Sequence, residues 1–358
     1  MHRDGGSLLN PAVASLFHSI VRCNGDPLSA RWRIARIDMA QSTRPLVLEA
    51  QLSPPHPPSA RPNEHWIGPA LALAGAFGFS AKGIFAKLAY AASSIDAVTL
   101  VTFRMLFSVP FFVLMIWFAR RDPALARLER RDWVAILWLG FVGYYLASLL
   151  DFWGLQYISA SLERLILFLN PTIVVLLSAI VLRKPITRRV ALALALSYAG
   201  IVLVFAHDFH LAQETAALLI GGGLVFASAI VYAIYLVGNG EVIRRIGAAR
   251  FTAYGMVVST FFVFVQFLLT HPLSALDQPA TVYWALGGMA VVSTVLPIWL
   301  TNEAIRRIGS NRVALIGTIG PVLTIGLSAM FLGEPITLFQ IAGATLVTAG
   351  VILVTFVK

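Results

Sequence analysis

The chain has 358 residues, of which 58% are hydrophobic and 12% are charged, and its mean hydropathy is +0.80. A water-soluble domain does not bury this much apolar surface, so the composition predicts that lipid forms part of the surrounding solvent. The formal net charge is +10, but the arginines stand in short clusters between apolar segments, which is typical of cytoplasmic loops. We therefore expect no nucleic-acid partner. The single cysteine, Cys23, excludes an intrachain disulfide and a cysteine-based metal site.

The first 65 residues differ from the rest of the chain. They are polar and basic, and they end in the proline-rich stretch SPPHPPSARP, which disfavours a helix. This composition predicts a disordered cytoplasmic tail. Two alternatives stay open: Trp32 and Ile34, which stand among arginines, lie on an anionic membrane surface, or translation starts further downstream, for example at Met39.

From Ile67 onward, apolar segments recur at regular intervals and predict ten helices of about 18–24 residues, the length that a bilayer requires. The predicted spans are 67–90, 97–118, 133–154, 158–182, 189–206, 217–237, 251–270, 281–301, 311–332 and 338–357. Clusters of arginine and lysine stand in the loops after the second, fourth, sixth and eighth spans, whereas the loops AASSID, HDFHLAQET, THPLSALDQPA and LGEPIT contain neither residue. This alternation predicts that both termini are cytoplasmic.

One segment of the chain occurs twice. Residues 158–187 align without a gap with residues 308–337, at a constant offset of 150. The first copy is followed by a basic loop and the second is not, so the two copies should cross the membrane in opposite senses. The fold class predicted is an all-α polytopic membrane protein with ten transmembrane helices arranged as two inverted five-helix repeats. The predicted boundaries are residues 1–65 for the tail, 66–207 for the first repeat and 208–358 for the second.

Ionisable side chains are expensive inside a membrane, and they mark a pathway or a paired partner. The predicted spans of the first half contain Lys82, Lys87, Arg104, Asp151, Glu163 and Arg164. At about 1.5 Å of rise per residue, all six lie in the outer half of the membrane. Four cations against two acids favour a carboxylate or another anionic group on a substrate.

We predict that five of these residues bind substrate, namely Lys82, Arg104, Asp151, Glu163 and Arg164. Simpler roles stay open for two of the six. Lys87 can extend to the outer interface, and Arg104 can serve only to neutralise Asp151 or Glu163. Since Glu163 and Arg164 are sequence neighbours, they point about 100° apart on a helix and should reach different helices.

A proline stands in the middle of each copy of the duplicated segment. Asn170-Pro171 aligns with Gly320-Pro321, and proline removes a backbone donor and bends a helix. We predict that these four residues form hinges near the membrane midplane. The alternative is that both prolines are merely tolerated within membrane helices.

Signatures of enzymes are missing from the sequence. The seven histidines stand in the tail or in predicted outer loops. His207-Asp208 with His210 has a spacing found in metal sites, but it stands alone in an exposed loop. There is no phosphate-binding loop and no Ser/His/Asp set in a plausible context. We therefore expect no catalytic residue, no metal and no cofactor. A polytopic membrane enzyme and a membrane sensor or scaffold remain the alternative functions.

Four sequence motifs resemble one known family. They are FAKLAY with Lys87, TFRMLF with Arg104, the fourth-span sequence GLQYISASLERLILFLNPTIVVLLSAIVL, and IGPVLTIGLSAMFLGEPIT with Glu334-Pro335. In these motifs residues 67–357 resemble the EamA type of the drug/metabolite transporter superfamily. Lys184 departs from the family pattern, which has an acidic residue before the loop after the fourth span.

The resemblance implies a ten-helix carrier in a bacterial inner membrane, often an exporter of amino acids or other metabolites. We therefore expect a secondary transporter that works by alternating access, whose partners are a small-molecule metabolite and the lipid bilayer. Pairing as a homodimer is left open, because nothing in the helix faces requires it.

Overall fold

A computed structural model describes residues 66–119, 128–181, 186–211 and 214–356. Within these ranges all regular secondary structure is helical, and ten helical stretches are long and apolar enough to cross a membrane. The protein is therefore an all-α polytopic membrane protein, as the composition and the apolar segments predicted. The predicted tail and Lys184 lie outside the described residues.

The ten spans consist of the following helices in chain order. The first five are α1 (Ile67–Ser80) with α2 (Lys82–Ala92), α3 (Ala97–Ala119), α4 (Arg130–Gly140) continued by a π-helical segment (Phe141–Leu146) and α5 (Ala147–Leu155), α6 (Ala160–Leu167) with α7 (Asn170–Val181), and α8 (Arg188–Leu211). The last five are α9 (Thr215–Gly238), α11 (Ala248–Thr270), α12 (Ala280–Ala290) continued by a π-helical segment (Val291–Val295) and α13 (Leu296–Ile308), α14 (Ser310–Gly317) with α15 (Gly320–Leu332), and α16 (Leu338–Phe356). A short helix, α10 (Gly240–Ile246), connects the sixth and seventh spans.

The eighth span is longer than the sequence predicted. It continues from residue 301 to Ile308 and ends where Gly309 adopts a positive φ of 80°. Glycine reaches this left-handed region without the steric cost that a side chain adds, so Gly309 can terminate the helix.

Interruptions of the helices recur 150 residues apart. The two π-helical segments begin at Phe141 and Val291, and the breaks between helices fall at residues 168–169 and 318–319. Each break precedes one of the paired prolines. Because proline has no backbone N–H, the carbonyl group four residues before it has no helical partner, and α6 and α14 end at those residues, Leu167 and Gly317. The predicted bends are thus present as breaks, and their function as hinges stays a prediction.

The largest contacts between spans join the first five spans to the last five. The eighth span packs along the first, the seventh along the second, the sixth along the third and the tenth along the fifth. Glycines allow the closest approaches. A Cβ added at Gly200 would lie 2.7 Å from the carbonyl oxygen of Gly343, and one added at Gly343 would lie 2.8 Å from that of Gly200. This stripe of small residues brings α8 and α16 together.

Different contacts join the first five spans to the last five at the two ends of the bundle. At the end that we call the basic end, Arg245 of α10 donates hydrogen bonds to Glu129 (2.8 Å) and to Asp132 of α4 (2.9 Å). At the opposite end, the Ser93 hydroxyl donates to the side-chain oxygen of Gln278 over 2.6 Å. Each contact joins the first five spans to the last five. Charged groups also take part at the opposite end, where the Glu334 carboxylate accepts hydrogen bonds from the Ala160 N–H and the Ser161 hydroxyl, both over 3.1 Å.

Arg245→Ala should destabilise the fold, because Asp132 is 3% exposed and would lose its cation. Since Arg245 is itself partly exposed, we expect the free energy of unfolding to fall by about 1–3 kcal/mol. Thermal unfolding in detergent measures the change. Arg306→Ala is the matched control, because Arg306 forms its ion pair with Glu303 on an exposed surface. If both substitutions lower the unfolding midpoint equally, the contact between Arg245 and Asp132 does not act as a buried ion pair.

Candidate functional site

A buried cluster of charges forms around Lys82, the first residue of α2. Its Nζ lies 2.5 Å from Oδ2 of Asp151 on α5 and 2.9 Å from Oε1 of Glu163 on α6. The two acids are only 3% and 1% exposed. Burying two carboxylates requires a compensating cation. Lys82 supplies that cation for both acids, so its main role is that of their counter-ion.

Two arginines lie beside this cluster without an acidic partner. Arg104 of α3 donates to the Ser148 hydroxyl over 2.9 Å, and its guanidinium carbon lies 5.0 Å from the centre of the Phe152 ring. Arg164 of α6 lies against Gly320 of α15. Within the described ranges, no carboxylate lies within 4.0 Å of either guanidinium, and the buried Nε of each arginine has no hydrogen-bond partner. Both arginines therefore have donors available for a ligand.

The charged cluster borders a cavity of about 350 Å³. Its polar lining includes Lys82, Arg104, Ser148, Asp151, Arg164 and Asn170. Its aromatic and apolar lining includes Phe79, Tyr144, Phe168, Tyr232, Met256 and Ile298. These residues come from the first four spans and from the sixth, seventh and eighth spans. The volume is in the range of pockets that hold small molecules, about 300–1,000 Å³.

The structure brings most of the predicted site residues together. Lys82, Arg104, Asp151, Arg164 and Asn170 line the cavity. Glu163 does not contribute to the lining and instead contacts Lys82. Pro171, Gly320 and Pro321 also lie outside the lining. The sequence left open whether Arg104 binds substrate or only neutralises Asp151 or Glu163. In the structure both acids contact Lys82, and Arg104 instead donates a hydrogen bond to Ser148.

Sequence reasoning missed Tyr144 and Ser148 in the neutral part of the lining. Tyr144, Ser148 and Asp151 follow one another at helical spacing on one face of the third span. Tyr144 lies in the π-helical segment, and its hydroxyl is 2.8 Å from that of Tyr235. A periodic search starting from Asp151 would have found both missed residues. The π-helical segment has no local signature, although such segments are frequent at functional sites.

Among the described residues, no group of three or more histidine, cysteine or acidic side chains is arranged to hold a metal ion. His207, part of the metal-like spacing in the sequence, stacks on the ring of Phe339 with 4.2 Å between the ring centres.

The pattern of the EamA-like transporter family matches the chain twice, at residues 66–206 and at residues 219–356. The chain belongs to the EamA-like transporter family. It is similar to the uncharacterized transporter YcbK of Bacillus subtilis (strain 168), with 34% identity over 279 residues that cover 76% of this chain and 87% of the relative. It is also similar to the uncharacterized transporter YyaM of the same organism, with 30% identity over 224 residues, covering 62% and 73% of the two chains.

A crystal structure with 15% sequence identity superimposes on this EamA-like transporter with a TM-score of 0.56, covering 80% of this chain and 97% of the other. At this identity the match shows the fold alone. Family and relatives together identify a multi-pass membrane transporter, which agrees with the resemblance seen in the sequence.

Gly320→Ala in this EamA-like transporter should displace Arg164, because the added Cβ would lie 2.8 Å from its Nη2 atom. We expect transport to fall at least about tenfold, the effect of losing roughly 1.4 kcal/mol of binding. Gly326→Ala is the matched control, since a Cβ at Gly326 meets nothing within 4 Å. Solute transport, normalised to the amount of protein in the membrane, measures the change. Equal transport by the two variants would show that the contact of Arg164 with Gly320 does not matter for transport.

Proposed function

We infer that the protein is a secondary transporter that exports a small metabolite, such as an amino acid or an organic anion, by alternating access. The observation that carries this inference is the cavity of about 350 Å³, which lies between the first and last five spans and contains two arginines without acidic partners. Central cavities between the two halves of the chain are where secondary transporters bind their solutes. We place the protein in a bacterial inner membrane, with both termini cytoplasmic.

Alternating access requires that each end of the bundle can open while the other is closed. Contacts join the first five spans to the last five at both ends, through Arg245 at the basic end and through Ser93 and Gln278 at the opposite end, and each set would have to break for its end to open. The helix breaks before Pro171 and Pro321 lie at equivalent places in the duplicated segment. Matched breaks of this kind support hinges around a central site, in two inverted five-helix repeats.

The experiment that tests the function is metabolite profiling of the medium from cells that express the chain. Cells with the unmodified protein and with Arg306→Ala should release a small solute that cells with Arg104→Ala do not. All three proteins must be present in the membrane in equal amounts. Arg306 is a suitable control because it is exposed and pairs with Glu303 away from the cavity.

Two further outcomes separate the alternatives. Chemical conversion of a solute in reconstituted vesicles without its movement across the membrane would support a polytopic enzyme. No altered solute in the medium and no solute movement in vesicles would contradict transport and leave a membrane sensor or scaffold. Deleting residues 1–64 then shows whether the tail recruits a partner.

A further inference from the structure

The charges at the cavity do not cancel. Lys82, Arg104 and Arg164 contribute three formal positive charges, and Asp151 with Glu163 contributes two negative charges. The set therefore carries one positive charge in excess. Uncompensated charge is costly inside a membrane protein, where little water is present to solvate it. A bound monoanion would bring the sum to zero, whereas a zwitterion would leave it unchanged and a dianion would reverse its sign.

The hydrogen-bond donors at the cavity also favour an anion. Lys82 is occupied by both acids, while the Nε atoms of Arg104 and Arg164 are buried without partners. A guanidinium forms strong, charge-assisted hydrogen bonds with a carboxylate. The structure thus offers two cations to an incoming anion and leaves Lys82 in its role as counter-ion.

The cavity offers fewer favourable contacts to the ammonium group of a ligand than to a carboxylate. Asp151 is the acid that lines the cavity, and its Oδ2 atom already contacts Lys82. Its Oδ1 atom and the Oδ1 atom of Asn170, which also lines the cavity, have no hydrogen-bond partner, so these two are the acceptors that an ammonium group would use. An ammonium there would stand beside three cations, and the repulsion between like charges opposes its binding.

The rest of the lining suits an apolar body. Phe79, Phe168, Met256 and Ile298 present aromatic or aliphatic groups, and Tyr232 adds a ring. Aromatic side chains prefer stacked or edge-to-face contacts with other rings. Substrate specificity in such a pocket comes from a few placed polar groups among apolar ones.

We propose that the cavity selects a monocarboxylate with an apolar or aromatic body over a zwitterion of the same size. The proposal rests on the proposed transport function and names its substrate class. Arg104 and Arg164 bind the carboxylate, and the aromatic and apolar side chains contact the body. An amino acid with the same side chain carries one additional ammonium group, which the site disfavours.

The test measures binding to the full-length protein purified in detergent. The probes are 3-phenylpropionate, phenylalanine and 3-phenylpropanamide, which share a body and differ as a monoanion, a zwitterion and a neutral amide. Each probe is titrated while the thermal unfolding midpoint is followed, since a ligand that binds the folded state raises it. Acetate at equal concentration corrects for ionic strength. We expect 3-phenylpropionate to bind at least about tenfold more tightly than the other two probes, a difference of roughly 1.4 kcal/mol.

Variants assign the preference to the cavity. Arg104→Ala and Arg164→Ala should each lose the preference for the anion, Arg104→Lys should keep part of it, and Arg306→Ala should keep all of it. Equal binding of the three probes, tighter binding of phenylalanine, or no response to any probe would overturn the proposal. If the medium of expressing cells gains a zwitterion, this proposal fails and the transport function stands. If the anion binds but no solute moves in vesicles, the transport function fails.

Discussion

Lys82→Met is expected to lower the free energy of unfolding by about 3–5 kcal/mol and to abolish transport. Methionine keeps most of the length of the side chain and removes the ammonium group with its charge and its hydrogen-bond donors. Asp151 and Glu163 would then remain buried at 3% and 1% exposure without the cation that lies 2.5 and 2.9 Å from them. Removing one partner of a buried ion pair costs more than the pair contributes, because the remaining charge has neither solvent nor a counter-ion. Thermal unfolding in detergent measures the loss.

The triple variant Lys82→Met, Asp151→Asn, Glu163→Gln is the control for this result. It removes the three charges of the ion-pair cluster together, so no carboxylate stays buried without its cation, and we expect it to recover most of the lost stability although Arg104 and Arg164 keep their charges. Transport should stay low in both variants, because the geometry next to Arg104 and Arg164 is disturbed. An unchanged unfolding midpoint in Lys82→Met would mean that Lys82 is not the counter-ion of the two acids.

Arg104→Met is expected to reduce transport between tenfold and about a hundredfold while changing the free energy of unfolding by no more than about 1 kcal/mol. Loss of a hydrogen bond between a charged group and a ligand costs about 1.5–3 kcal/mol, which sets the size of the effect on transport. Stability changes little because Arg104 forms no ion pair with an acid within 4.0 Å. The substitution removes one hydrogen bond to Ser148 and the contact with Phe152, but it also removes a buried charge without a counter-ion.

Solute efflux normalised to membrane protein, together with the unfolding midpoint, checks this prediction. The comparison with Lys82 is informative, because we expect Lys82 to stabilise the fold and Arg104 to bind the ligand. Arg104→Lys should transport at an intermediate rate, since it keeps the charge and loses the planar pair of donors. If Arg104→Met destabilises the protein as strongly as Lys82→Met, the division of roles between the two cations is wrong.

The all-helical membrane fold could be predicted from the sequence because a bilayer imposes a simple rule of length and apolarity on each helix. The breaks before Pro171 and Pro321 follow from the missing N–H group of proline. The interruption of the first span at residue 81 has only a weak local cause, because the Ser80 hydroxyl donates to the carbonyl of Ala76 over 2.8 Å, a bond that bends helices. There the Ser80 hydroxyl contacts the carbonyl oxygen of Gly320, and Thr324 donates to the carbonyl of Ser80. These contacts span 240 residues of chain or more, so no local pattern predicts them.

The charged site was predictable in its members but not in its pairings. Depth along the helices placed Lys82, Arg104 and Arg164 near two acids, because each residue of helix adds a fixed rise. The depth of each residue in the membrane did not show which cation forms ion pairs with Asp151 and Glu163. The pairing depends on the rotation of each helix and on the break that makes Lys82 the first residue of α2. The neutral donors and acceptors, such as Ser148, lack the charge that makes a membrane residue conspicuous.

The most direct test of the central claim is to block the cavity and measure transport. A Ser148→Cys variant, with Cys23 replaced by serine, places the only thiol of the chain at the cavity lining. A charged methanethiosulfonate reagent should stop efflux by this variant, and saturating solute should slow the reaction, whereas the exposed control Thr281→Cys should react without losing transport. Full modification of Ser148→Cys with undiminished efflux would contradict the proposal that solute passes through this cavity.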